Sequence, residues 1–141
     1  MRLLDAADRP SGALRDRLID KGYDDETVAV VVDRLIEVGL VDDESYAQSA
    51  VRYCVGRLMG YRGAVMELAR KGVDRPLAER VCDEARMSGV FEDAAWELGR
   101  RSAAKTQGMD PKVRKRRFWS SGGRKGHDAE TLRAVAHELF D

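Results

Sequence analysis

Val38-Gly39-Leu40-Val41-Asp42-Asp43-Glu44-Ser45-Tyr46-Ala47 reads as a stop, a turn and a fresh start. Gly39 follows an apolar helical pattern, at the point where a left-handed C-terminal cap is wanted and glycine adopts it without a Cβ penalty. Leu40 and Val41 can fold back on the helix that has just ended. Asp42 or Asp43 can cap the next helix and complement its positive end. The same joint returns at Ser88-Gly89-Val90-Phe91-Glu92-Asp93-Ala94-Ala95-Trp96. Glycine, two apolar residues, two acids and an aromatic recur in register, the signature of a repeat.

The helical stripes recur with the joints. Val28, Val31, Val32 and Leu35 fall on one face of a helix, and Ala78, Val81, Cys82, Ala85 and then Leu132, Val135, Ala136, Leu139 repeat the spacing. Each stripe has the same lead-in: Lys21-Gly22-Tyr23-Asp24, Lys71-Gly72-Val73-Asp74 and Lys125-Gly126-His127-Asp128. Stop, start and stripe coincide three times, which argues for an all-α chain of tandem three-helix repeats forming an elongated, gently curved array. The expected units are 1–40, with a truncated opening helix, then 41–89, and 90–141, which carries a basic block.

The expected helices of the second unit are about Asp43–Leu58, Arg62–Arg70 and Arg75–Met87. Those of the third are about Glu92–Thr106, Pro111–Ser120 and Ala129–Phe140. In the first unit Met1–Asp8 reads as the tail of a helix. Ser11 is a candidate cap for Ala13–Asp20, with Leu14, Leu18 and Ile19 inward, and Asp24 caps a helix reaching about Val38. Asp110 before Pro111 suits a cap followed by a first helical residue. Ser120-Ser121-Gly122-Gly123 is poor helix sequence, so the last turns of that helix are expected to fray. Tyr46 and Trp96 are expected as core pegs.

Composition agrees with helices whose outer faces are wet: of 141 residues, 43% are apolar, 35% charged and 6% aromatic, with three prolines. The longest apolar run, Val28–Val32, cannot span a membrane, and Met1–Asp5 lacks the apolar core of a secretory signal. Two cysteines, Cys54 and Cys82, form neither a disulfide framework nor a metal spacing, so a cytoplasmic, reduced setting is expected. The net charge of zero conceals a segregation: residues 100–126 hold ten Lys/Arg against one acid, Asp110. A polyanionic partner follows, either nucleic acid or an acidic protein surface.

The candidate contacts are Arg100, Arg101, Lys105, Lys112, Arg114, Lys115, Arg116, Arg117, Arg124 and Lys125. Arginine forks suit phosphate and carboxylate alike. Lys112–Arg117 places five basic residues in six positions, but a helix spreads them over more than one side. Phe118 and Trp119 could stack on bases, although Phe118 aligns with Leu14 and reads better as core. Gly122-Gly123-Arg124-Lys125-Gly126 lacks phosphate-loop spacing and follows no strand. His127 and His137 have no companions at ligand spacing, Cys54 has no histidine partner in view, and no carboxylate pair stands out. Neither an enzyme nor a cofactor is expected.

Lys21-Gly22-Tyr23, Gly39 to Ala47, Leu68 to Val73, Trp96 to Arg101 and Asp110 to Arg117 together resemble the bacterial RecX regulatory proteins. The resemblance runs from about Arg9 almost to the end. It implies tandem three-helix repeats and a modulator of the RecA recombinase, acting in homologous recombination, DNA repair and the SOS response; a monomer is expected. Such a protein would lie in the groove of the RecA–DNA filament and inhibit ATPase, strand exchange and co-protease activities. The resemblance brings no catalytic residues, and only the matching basic run is carried over. A DNA-binding helical module acting on single- or double-stranded DNA without a recombinase is the alternative, and an inert helical scaffold a third reading.

Overall fold

The computed structural model describes residues 9–141, so the expected helix tail at Met1–Asp8 lies outside the described residues. Eight helices follow one another among them: α1 Ser11–Asp20, α2 Asp25–Glu37, α3 Asp43–Gly56, α4 Tyr61–Arg70, α5 Arg75–Met87, α6 Val90–Lys105, α7 Pro111–Arg124 and α8 Ala129–Phe140. There is no strand among these residues, and none of these helices is long and apolar enough to cross a membrane. The tandem helical architecture is the one the repeating stop and stripe require.

The punctuation residues act as their chemistry dictates. Gly22, Gly39, Gly72, Gly89 and Gly126 all take left-handed backbone angles. The carboxylates of Asp24, Asp42 and Asp128 each accept from the backbone N–H three residues on, at 2.7, 3.0 and 2.7 Å. Asp110 accepts from Lys112 N–H at 2.8 Å, with Pro111 in the first turn. Ser11 has a different task from the expected cap. Its N–H and hydroxyl both donate to the Asp43 carboxylate, at 2.7 and 2.6 Å, which ties α1 to α3.

Burial falls into three apolar clusters rather than one. Leu14, Val28, Val32 and Leu35 gather in the first; Ala64, Leu68, Ala78 and Cys82 in the second; Phe118, Leu132 and Val135 in the third. Phe118 is fully buried and stacks on Phe140 with ring centroids 5.3 Å apart. Tyr46 and Trp96 are only half-buried, packed at the edges of their clusters. Ile19 is exposed because it lies 100° round α1 from the inward stripe of Leu14 and Leu18. Val31 is 39% exposed whereas its counterpart Val81 is 5% exposed. Helix α3 packs along α5 and covers Val81, and no described helix does this for Val31.

The glycines of α7 do not fray it. The helix runs unbroken to Arg124, and Gly122 is buried where a Cβ would run into the Leu132 side chain. Gly122 therefore lets α7 and α8 approach, and the propensity cost of about 1 kcal/mol is offset by that packing. Gly99 does the same for α6 against Val135 and Leu139.

Neighbouring units meet backbone to backbone. The Lys71-Gly72 turn sits against the start of α1, where a Cβ on Gly72 would lie 2.6 Å from the Ala13 nitrogen. The Lys125-Gly126 turn sits in the same way against the start of α4, where a Cβ on Gly126 would lie 2.5 Å from Gly63 Cα. At this second seam Gly60 N–H donates to the Lys125 carbonyl at 2.8 Å. Lys125 Nζ donates to the Arg57 carbonyl at 2.8 Å, and His127 Nε2 donates to the Leu58 carbonyl at 2.8 Å. Leu58 is held at φ 62, a left-handed conformation that costs a non-glycine residue about 1–2 kcal/mol.

Two measurements test the seam. Gly89 and Gly126 share nearly the same backbone angle, φ +87 and +85, but only at Gly126 would a methyl meet another backbone. Gly126→Ala should therefore lose more stability in urea unfolding than Gly89→Ala, by a further ~1–3 kcal/mol. Equal losses would show that the seam yields at no cost. Burial holds the His127 imidazole below its ordinary value of 6.5, Lys125 adds to this, and the Leu58 carbonyl and Asp128 oppose it. The folded chain thus takes up this proton less readily than the unfolded chain. The associated stability is complete above 6.5 and is lost as pH falls below it. Between about pH 7 and 5 the unfolding free energy should fall, and fall less in His127→Gln. An unchanged slope would exclude His127 as the source.

Candidate anion-binding cleft

The basic block is dispersed by the helix that carries it. Arg114 turns inward: its Nε donates to Thr106 Oγ1 at 3.1 Å and its Nη2 to the Ala103 carbonyl at 3.0 Å, with the guanidinium over the Phe140 ring. Lys115 pairs with Asp141. Lys112 and Arg116 are exposed on α7 and away from the cleft described next. Arg124 donates to Ser120 Oγ at 2.8 Å. Arg100 and Arg101 share Glu97, at 3.2 Å each, and those two bonds hold the Glu97 carboxyl below its ordinary range.

Four of the predicted residues come together elsewhere. Arg101, Lys105, Arg117 and Lys125 line a cleft of about 550 Å³ at the seam between the second and third units. Arg57, which the charge pattern does not reveal, is the fifth cation. It stands alone in sequence at the C-cap of α3, and its position only acquires meaning once the Lys125-Gly126 turn is seen to dock beside it. Leu58 and Leu98 supply apolar lining, Ser102 and Ser121 bring hydroxyls, and no aspartate or glutamate is among the lining residues.

Part of this charge serves the fold. Arg57, Lys105 and Lys125 stand at the C-terminal ends of α3, α6 and α7. Each such end carries about half a negative charge, so together they offset about 1.5 of the five positive charges. Assigning the whole of Glu97 to Arg101 still leaves roughly +2.5. The lining is therefore net positive beyond what the capped helix ends require. A second bay shares Arg57 and Lys125 with it and adds Arg70, Arg124 and the half-exposed Tyr53 ring. Glu67 in that bay is paired with Arg70 and Lys71.

The two cysteines offer no nucleophile. Both are buried in the second cluster, where desolvation raises both thiols, Cys82 to about 12. Both remain protonated at neutral pH, as core residues do.

Comparison with known proteins agrees with this architecture. The family model described as RecX, first three-helix domain, matches residues 1–35. The Regulatory protein RecX of Thermobifida fusca (strain YX) is 36% identical over 143 residues, covering 99% of this chain and 76% of that protein. The Regulatory protein RecX of Mycobacterium sp. (strain JLS) is 48% identical over 77 residues, but that match spans only 52% of this chain and 41% of the relative's length. Among solved structures, RecX from Lactobacillus salivarius superposes with a TM-score of 0.80 at 20% identity, covering 93% of this chain and 85% of that one, a likeness of fold. With nearly the whole of this chain matched to such a relative, and three quarters of the relative covered, the chain belongs to the RecX family of regulatory proteins.

Proposed function

We propose that this protein binds the RecA recombinase–DNA filament and modulates its ATPase, strand exchange and co-protease activities. The observation that carries this reading is membership of the RecX family along nearly the whole chain. The seam supports it from the side of physics. A run of stacked helical units offers a long surface for a groove, and the cations at one seam offer attraction to a polyanion. The mechanism is geometric: a body seated across neighbouring subunits resists their motion and the growth of the filament end. The protein acts on the filament without chemistry of its own.

Contact by Arg57, Arg101, Lys105 and Arg117 makes this reading specific. Arg114 is a poor reporter, because its loss would expose Phe140 and leave the end of α6 untied. Arg117→Glu should therefore raise the concentration needed for half-maximal inhibition of a cognate RecA's DNA-stimulated ATPase by about ten-fold or more, the worth of one charge-assisted contact. Arg34→Glu, the same charge change on an exposed residue of α2, should shift it little. Equal shifts for the two variants would reduce the effect to net charge.

The concentration of cations at one seam also favours a second reading, direct DNA binding without a recombinase. Titration with single- and double-stranded DNA across a salt series separates the two. If free-DNA affinity accounts for every effect on the filament, and falls in Arg117→Glu with a salt slope lower by about 0.7–0.9, the module reading prevails.

A further inference from the structure

We propose that the seam cleft is a binding site for a compact oligophosphate, the chain of two or three phosphates of a free nucleotide or of inorganic polyphosphate. Three features of the cleft point to such a ligand. Its volume, about 550 Å³, lies in the range of small-molecule sites, roughly 300–1,000 Å³. Its cations converge from four places in the chain, namely the end of α3, the last turns of α6, the middle of α7 and the turn after α7. They surround a hollow rather than following a ridge. A polynucleotide strand spaces its charges one per nucleotide, whereas a di- or triphosphate gathers several on one small group, and the cleft concentrates its charge in the same way.

The remaining lining is equally suited. Ser102 and Ser121 hydroxyls can donate to phosphate oxygens between the cations, and Leu58 and Leu98 form an apolar wall of the kind that a ribose or base covers. Arg101 and Arg117 can make forked bonds to adjacent phosphates, and Lys105 and Lys125 act as point charges. Lys125 keeps one proton on the Arg57 carbonyl and has two others to give.

A ligand held here would bridge the second and third units across the docked turn. Given that the same cations face a polyanionic partner, as proposed above, it would also compete with that partner. A free oligophosphate would thus regulate the protein's access to its target. The competition rests on the reading of the previous subsection, but the binding itself does not.

The test uses the full chain. Inorganic triphosphate and ATP, each without and with magnesium, are titrated calorimetrically at low salt, and a thymidine oligonucleotide is titrated separately. Saturable one-to-one binding of triphosphate is expected, with amide NMR shifts confined to Leu58, Ser102, Ser121 and Lys125 and their neighbours. Arg117→Glu and the milder Lys105→Gln should each weaken it several-fold or more, while Arg34→Glu leaves it as it was. Circular dichroism and urea unfolding show that each variant is folded. Absence of triphosphate binding, shifts spread over all basic surfaces, or equal weakening by Arg34→Glu would overturn the site. So would oligonucleotide binding at the cleft that triphosphate cannot displace, which would make it a strand surface. Triphosphate binding with no effect of the protein on a RecA filament would retain the site and remove the filament reading. The reverse result would do the opposite.

Discussion

The architecture depends on one contact that tolerates no side chain: the Lys-Gly turn of one unit laid against the first turn of the middle helix in the unit before it. At both seams a methyl on the turn glycine would enter another residue's backbone. Such closeness lets backbone groups meet across the joint, and at the second seam they do, Gly60 N–H to the Lys125 carbonyl. It also fixes the angle between units, since two backbones in van der Waals contact leave little room to rock. The first seam cannot reproduce this hydrogen bond, because Pro10 occupies the position equivalent to Gly60 and has no N–H. There the Ser11–Asp43 pair supplies the polar tie instead.

The second seam stores strain and compensates for it locally. Leu58 is forced left-handed, yet its side chain packs on the third cluster while its carbonyl accepts from His127. Two interactions with the next unit therefore hold a conformation that the second unit alone would not favour. The seam's electrostatics follow from the same geometry. Docking the turn places Lys125 at the C-terminal end of α3, beside Arg57, and brings α6 and α7 to the same spot. The cleft is thus a by-product of the joint, and its charge belongs to the pair of units.

The elements that were legible in the sequence are those governed by local rules. Aspartate caps, glycine stops and three-fold helical stripes are short-range chemistry, and a repeat states them more than once. The failures are long-range. Ser120–Gly123 reads as a weak helix end because propensity counts the missing side chains, whereas the structure uses the missing Cβ of Gly122 to bring in Leu132. Ser11 has the chemistry of a cap, and a carboxylate from the next unit claims it. The basic run Lys112–Arg117 reads as a block, but a helix turns adjacent residues through 100°, so Arg114 points inward, Lys115 pairs with Asp141, and of that run only Arg117 lines the cleft. Arg57 gave no signal, because a single arginine in a neutral context is noteworthy only when the partner unit is in place.

The repeat itself shows how the third unit departs from the second at the cleft. Four positions of α6 in the lining, Leu98, Arg101, Ser102 and Lys105, stand fifty residues after Gln48, Val51, Arg52 and Val55 of α3. Those four α3 residues line a groove of about 390 Å³ with Val81, Glu84 and Ala85 of α5. At the same count Ala47, Val51 and Cys54, buried in α3, answer to Glu97, Arg101 and Ala104, none of them buried, whereas the buried Leu98 and Gly99 of α6 answer to the exposed Gln48 and Ser49, so the two helices turn different faces to their cores. Where α3 sets Val51 and Val55 against α5, α6 thus sets Arg101 and Lys105 opposite Arg117 and Arg57 at the docked turn. The backbone contact fixes the shape of the seam, and the face that α6 turns to it sets the charge there.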